Sequence, residues 1–120
     1  MRILAGLAAL AVFAAAGAAF AQPENVELKD GAWVTAEGMP LYTFASDTPG
    51  VSTCNGPCLT NWPLLEAPAD AMEDGDWTIV EREDGARVWA YKGMPLYTYA
   101  RDTAGQPATG VSDRWPLASE

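Results

Sequence analysis

The side chains with the most chemistry to offer are two cysteines, two aspartates in matching surroundings and two methionines in matching turns. Cys54 and Cys58 are the only cysteines among 120 residues. In an oxidising compartment such a pair favours a disulfide. Closing so short a loop contributes about 2 kcal/mol in the chain-entropy model, and Gly56 and Pro57 help the intervening residues turn. Two rival chemistries use the same sulfurs. A redox or thiol-exchange pair normally takes the form Cys-x-x-Cys at a helix start, where the dipole lowers one thiol pKa, and the spacing here is one residue longer. A soft-metal, copper-type site would add Met39 and Met94, each in a Gly-Met-Pro turn, although methionine also fills irregular gaps in cores.

Asp47 and Asp102 each precede Thr-x-Gly. Aspartate there commonly accepts backbone N–H groups two or three residues on and so fixes a turn. The alternative is a carboxylate pair meeting across the molecule as an acid/base couple or cation site, the arrangement of a small hydrolase. Beside them lie Tyr42, Phe44, Tyr97 and Tyr99, with Trp62 and Trp115 further on. Large rings suit a small core. Exposed rings beside acids would instead suit a carbohydrate- or cation-binding patch.

Composition removes other classes. There is no histidine, which excludes His-based triads, His zinc sites and histidine-ligated haem. Sixteen acidic residues face seven basic ones, a formal charge of −9, so nucleic acid is not an expected partner. The acidic run Glu73-Asp74-Gly75-Asp76 reads as a solvated linker face, since the EF-hand spacing is absent. No catalytic constellation and no cofactor motif stands out.

The elements that position these residues come in two copies. Gly38-Met39-Pro40-Leu41-Tyr42-Thr43-Phe44-Ala45-Ser46-Asp47-Thr48-Pro49-Gly50 recurs at Gly93 to Gly105 with ten of thirteen positions identical. Trp62-Pro63-Leu64 answers Trp115-Pro116-Leu117, and Asp30-Gly31-Ala32 answers Asp84-Gly85-Ala86. Both Asp-Gly pairs signal two-residue hairpin turns. Trp77 to Glu83 and Ala86 to Tyr91 are rich in β-branched and aromatic residues. Period-two alternation sends Leu96, Thr98 and Ala100 to one face and Tyr97 and Tyr99 to the other, with Leu41, Thr43 and Ala45 opposing Tyr42 and Phe44 in the first copy. Each unit reads as a three-strand meander. The expected fold is all-β, a small pseudo-twofold sandwich or barrel of about six strands, with no more than one helical turn, near Pro68 to Met72.

At the N-terminus Arg2, an apolar run from Ile3 to Phe20 and the small-x-small triplet Ala19-Phe20-Ala21 form a secretory signal pattern. The expected organisation is a cleaved signal peptide over 1–21 and one domain over 22–120, made of repeat one (about 25–68) and repeat two (about 77–118). The product is periplasmic or secreted, with no stable membrane insertion once the signal is removed.

The motif Tyr-x-(Phe/Trp/Tyr)-x-x-Asp thus occurs twice, as Tyr42, Phe44, Asp47 and as Tyr97, Tyr99, Asp102, with Cys54-Asn55-Gly56-Pro57-Cys58 and Trp62-Pro63 between the copies. Together these resemble a bacterial family of secreted repeats of unknown function, described as predicted lipoproteins carrying that motif. The resemblance covers roughly Val26 to Leu117. This chain differs from the lipoprotein members in having no cysteine near Ala21 to carry a lipid. The resemblance implies an architecture and brings no activity. The resulting expectation is a non-enzymatic secreted module, without a cofactor, that binds an envelope protein or small ligand. Redox or soft-metal handling through Cys54, Cys58, Met39 and Met94 is one alternative, and hydrolysis by Asp47 and Asp102 another.

Overall fold

The computed structural model describes residues 22–120; the expected signal segment lies outside them. The described chain is nearly all β. Strands β1 (Val26–Lys29) and β2 (Ala32–Thr35) form one antiparallel sheet, and β3 (Trp77–Glu81), β4 (Arg87–Tyr91) and β5 (Met94–Pro95) form a second in the order β3-β4-β5. One short helix, α1 (Pro57–Asn61), lies between the sheets in sequence.

Turn chemistry explains the hairpins. Asp30 and Gly31 both adopt positive φ, 52° and 84°, as a type I′ turn between Lys29 and Ala32 requires. The second Asp-Gly pair behaves differently. Only Gly85 is left-handed, at 90°, and Gly85 donates to the Arg82 carbonyl while Arg82 donates to that of Ala86. This is the three-residue hairpin loop ending on a left-handed glycine, so the expected two-residue turn is one residue longer and β3 ends at Glu81. At the next corner the forms trade places. Lys92-Gly93 is the tight positive-φ pair, and the loop closed by Thr35 and Met39 is the longer one.

The expected third strand of each meander is mostly absent as a regular ladder. β5 covers only Met94–Pro95, within the expected Gly-Met-Pro turn; Leu41 to Ala45 and Leu96 to Ala100 make isolated bridges, among them Tyr42 with both Tyr97 and Leu117. Proline is the reason. Pro40, Pro63, Pro95 and Pro116 have no N–H to donate, so pairing through them is one-sided. Thr43 donates to the Pro116 carbonyl at 3.0 Å and Thr98 to the Pro63 carbonyl at 2.8 Å, with nothing returned.

Those bonds also show that the two repeats are interlocked. The Trp-Pro-Leu tail of repeat two runs along the Leu-Tyr-Thr segment of repeat one, where Ala118 donates to Leu41 at 2.9 Å. The tail of repeat one does the same for repeat two, where Leu65 donates to Leu96 at 3.0 Å. The tails reach the sheets as well, accepting from Trp33 at Ala118 and from Trp89 at Leu65, each at 2.9 Å. Each half is completed by the other's C-terminal segment.

The predicted alternation separates two cores. Leu41 and Leu96 point into a cluster with Val26, Trp33, Trp77, Trp89 and Tyr91, which draws on both sheets. Tyr42 and Tyr97 point the other way, into a cluster with Cys54 and Trp115, joined by half-buried Phe44, Trp62 and Tyr99.

Candidate functional site

The second cluster is built around Tyr42 and Tyr97. Their backbones exchange a pair of hydrogen bonds, Tyr42 N–H to the Tyr97 carbonyl at 2.8 Å and the reverse at 2.9 Å. Equivalent residues bonded to each other mark the pseudo-twofold axis. Both side chains are fully buried, with 0% of their surface accessible.

From this axis the two phenols cross over. Tyr42 of repeat one donates to Asp102 Oδ2 of repeat two at 2.6 Å; Tyr97 of repeat two donates to Asp47 Oδ2 of repeat one at 2.7 Å. The remaining oxygen of each carboxylate is also occupied. Asp47 Oδ1 accepts from Thr53 N–H and Thr53 Oγ1, both at 2.7 Å. Asp102 Oδ1 accepts from Thr109 N–H at 2.8 Å and Thr109 Oγ1 at 2.6 Å. The aspartates are buried, at 5% and 8% exposure. Their loop partners lie six and seven residues on, so each carboxylate closes a wide loop and not the tight turn that sequence suggested. O–H···O bonds this short are of the charge-assisted kind. Burial, reinforced by the neighbouring carboxylate, pushes both phenols far above the ordinary tyrosine range; at Tyr97 the Ser52 hydroxyl works against that rise.

Between the crossings stands a stack of four rings. Trp62 and Trp115, equivalent in the two repeats, lie face to face with centroids 3.9 Å apart and planes 5° from parallel. Phe44 stacks on the outer face of Trp115 at 4.1 Å and Tyr99 on that of Trp62 at 4.4 Å. Tyr42 meets Trp62 edge-on at 5.0 Å, and Tyr97 meets Trp115 edge-on at 5.1 Å. The repeated motif residues therefore converge on one place.

Cys54 and Cys58 are bonded to each other. Cys54 is buried in the aromatic cluster, while Cys58 sits in the first turn of α1. That helix was not expected from sequence; Pro57 at its first position, where a missing N–H costs nothing, is the signal that could have found it. Arg82, from the β3–β4 loop, grips the same segment. It donates to Ser52 Oγ at 2.7 Å, the Cys54 carbonyl at 2.9 Å and Asn55 Oδ1 at 2.7 Å, and pairs with Asp84 at 3.0 Å. Since the single Tyr97 proton goes to Asp47, the Ser52 hydroxyl donates to Tyr97 Oη at 2.7 Å. A directional chain results, Arg82 to Ser52 to Tyr97 to Asp47. Arg82, Ser52, Thr53 and Thr109 were all missed from sequence. The recurrence of Thr six or seven residues after each motif Asp was available as a clue; nothing pointed to Arg82.

Met39 and Met94 lie apart from the aromatic cluster, half-buried in their turns. The glycines before them make close crossings, with Gly50 N–H donating to the Gly93 carbonyl at 2.8 Å and Gly105 N–H to that of Gly38 at 3.0 Å. A Cβ on Gly38 would stand 2.7 Å from the Gly105 nitrogen, which is why that corner takes glycine. Among the described residues no group of three or more Cys, Asp or Glu side chains is placed to hold a metal ion.

A concavity lies elsewhere, beside the first core. It is an open cleft of about 610 Å³ whose lining includes Glu24, Asp70, Glu73, Asp74, Trp77 and Trp89. A smaller one of about 460 Å³ adjoins it, sharing Asp74 and Trp77 and adding Trp33 and Asp76. Among the described residues no Lys or Arg lines either. Trp33 and Trp89 are equivalent in the repeats, and both have a buried indole N–H without a partner.

Comparison with known proteins agrees with the twofold pattern. A family model described as a secreted repeat of unknown function matches twice, over residues 25–66 and 78–119. The chain belongs to that family. No curated protein and no solved structure matches it. No helix among the described residues is long and apolar enough to cross a membrane.

Proposed function

We propose that this member of the secreted-repeat family is a non-enzymatic binding module, working in the periplasm or outside the cell, whose motif residues are spent on shape and whose acidic cleft takes a cationic ligand or partner. The observation that carries the first half is the occupancy of the two motif carboxylates. Each is buried and accepts three hydrogen bonds from inside the molecule, leaving little capacity for a substrate or cation. The hydrolase reading loses its acid and base to those bonds, the thiol reading loses both thiols to the disulfide, and the soft-metal reading keeps only Met39 and Met94. Support for the second half comes from the cleft. Four carboxylates and exposed Met72, at 81% accessibility, surround a tryptophan floor, and a chain with formal charge −9 attracts cations at long range.

The test is an NMR titration with spermine and with a lysine-rich peptide. The expected shifts gather at Glu24, Asp70, Glu73 and Asp74 and weaken as salt screens the charges. Shifts centred on Asp47 and Asp102, or no saturable change with either probe, would overturn the reading.

A further inference from the structure

We infer that the four-ring stack and the two crossed Tyr–Asp pairs form an electron-hole relay: an oxidising radical removes one electron from the Trp62–Trp115 pair, and the hole settles on Tyr42 or Tyr97 as its phenolic proton passes to Asp102 or Asp47. The inference is independent of the cleft and of any ligand bound there.

The argument starts from the rings. Two indoles 3.9 Å apart and 5° from parallel share a positive charge between them, which makes the pair easier to oxidise than either indole alone. Phe44 and Tyr99 extend the overlap on both sides. Phe44, Trp62 and Tyr99 are half-buried, so an oxidant in solution can touch the stack. Tyr42 and Tyr97 cannot be touched, being wholly buried, yet each lies edge-on about 5 Å from an indole centroid.

The protons decide where the hole stops. A phenol that loses an electron becomes strongly acidic and must lose its proton in the same event or soon after. For Tyr42 and Tyr97 the acceptor is already in place, a carboxylate oxygen at 2.6 and 2.7 Å. Those distances belong to strong charge-assisted bonds, and burial removes the solvent that would otherwise reorganise. Each phenolic oxygen also has a hydrogen-bond partner besides the carboxylate, Gly110 N–H at 3.1 Å for Tyr42 and the Ser52 hydroxyl at 2.7 Å for Tyr97. Tyr99 supplies the internal contrast: it overlaps Trp62 more fully than Tyr42 does, yet among the described residues its hydroxyl has no hydrogen-bond partner. A hole reaching Tyr99 finds no carboxylate waiting to take its proton.

The steps balance. The radical gains one electron and becomes its anion, and the indole pair becomes a radical cation. That cation then takes one electron from the phenol, whose proton moves to the carboxylate. The products are neutral indole, a neutral tyrosyl radical and a carboxylic acid. Over the indole pair, the reacting phenol and its carboxylate, net charge is zero before and after the second step, so the transfer leaves no new charge in a dry interior.

Pulse radiolysis of the purified protein with azide radical as oxidant tests this. The tryptophan radical absorption should decay as the tyrosyl band grows, more slowly in D2O than in H2O. Tyr42→Phe and Tyr97→Phe should each slow the growth of the tyrosyl band about twofold, and the double variant should remove most of the yield, while Tyr99→Phe leaves it unchanged. Asp47→Asn with Asp102→Asn should slow the growth severalfold. Near-UV circular dichroism reports the stack in every variant, and the two single Tyr→Phe variants serve if the double one does not fold. A tyrosyl yield that survives in the folded double variant, growth that slows in neither folded single variant, a yield that disappears with Tyr99, or growth at the same rate in D2O would overturn the proposal.

Discussion

The crossing that joins Tyr97 to Asp47 and the one that joins Tyr42 to Asp102 use the same residues at the same spacing, yet they are secured differently. Around Asp47 the closing loop is held by a covalent bond and by Arg82, which reaches Ser52, Cys54 and Asn55 together. The loop that Asp102 closes contains no cysteine, and among the described residues no arginine side chain bonds to it. That loop is held by close packing: Gly110 lies so near the stack that a Cβ would stand 2.7 Å from the Tyr99 ring and 2.8 Å from Trp62, and its N–H bonds to Tyr42 Oη. The comparison separates what a twofold frame dictates from what it leaves free. The axis, the stack and the crossed phenols must match because each copy completes the other, whereas the loops outside them answer only to local closure.

Breaking the shared frame should cost most. Trp115→Ala removes a buried ring that touches Phe44, Tyr97 and Trp62, and chemical denaturation should show a loss of about 3–5 kcal/mol. Trp62→Ala, at the half-exposed equivalent position, should cost less. If the two losses are equal, the difference in burial between the indoles is not what governs their contribution.

The next largest effect should come from the crossings themselves. Tyr42→Phe should cost about 1.5–3 kcal/mol, the range for a hydrogen bond to a charged group. Tyr97→Phe should cost no more, since Ser52 keeps its bond to Arg82 while Gly110 N–H would be orphaned in the first variant. Urea midpoints of the pair measure this directly.

Removing the loop anchor should be smaller and one-sided. The double variant Cys54→Ala/Cys58→Ala should lose about 2 kcal/mol, and amide exchange should quicken around Thr53 while Thr109 remains as protected as before. Equal quickening at both threonines would show that the two loops are coupled after all.

How much of this was legible in the sequence follows from the same division. The alternation of Leu41 and Tyr42, and of Leu96 and Tyr97, correctly separated two faces, because side-chain direction in extended backbone depends only on parity. The repeat and the disulfide were likewise local signals. The crossing was not legible: each motif contains both a Tyr and an Asp, so pairing within a copy and pairing between copies look identical in one dimension. The third strands look regular in sequence because proline reads there as a turn marker, whereas in the fold it counts as a missing donor. Arg82 was hidden for a simpler reason. One arginine in a loop carries no pattern, and its role exists only where the other repeat's loop arrives.

The smallest effect at neutral pH appears in alkali. Both phenols titrate above the ordinary tyrosine range when folded, whereas an unfolded tyrosine loses its proton near pH 10. Their contribution is therefore complete below about pH 10 and is lost as pH rises further, because the unfolded chain releases protons that the native state retains. Stability should stay flat up to that point and then fall, and the fall should flatten in Tyr42→Phe and Tyr97→Phe.

The interlocked arrangement is tested most directly by double-mutant cycles that pair Tyr42→Phe with Asp102→Asn and, separately, with Asp47→Asn. Coupling of about 1 kcal/mol or more is expected for Tyr42 with Asp102 across the repeats, and additivity within about 0.3–0.5 kcal/mol for Tyr42 with Asp47 in the same repeat. Coupling within the repeat and additivity across it would contradict the account.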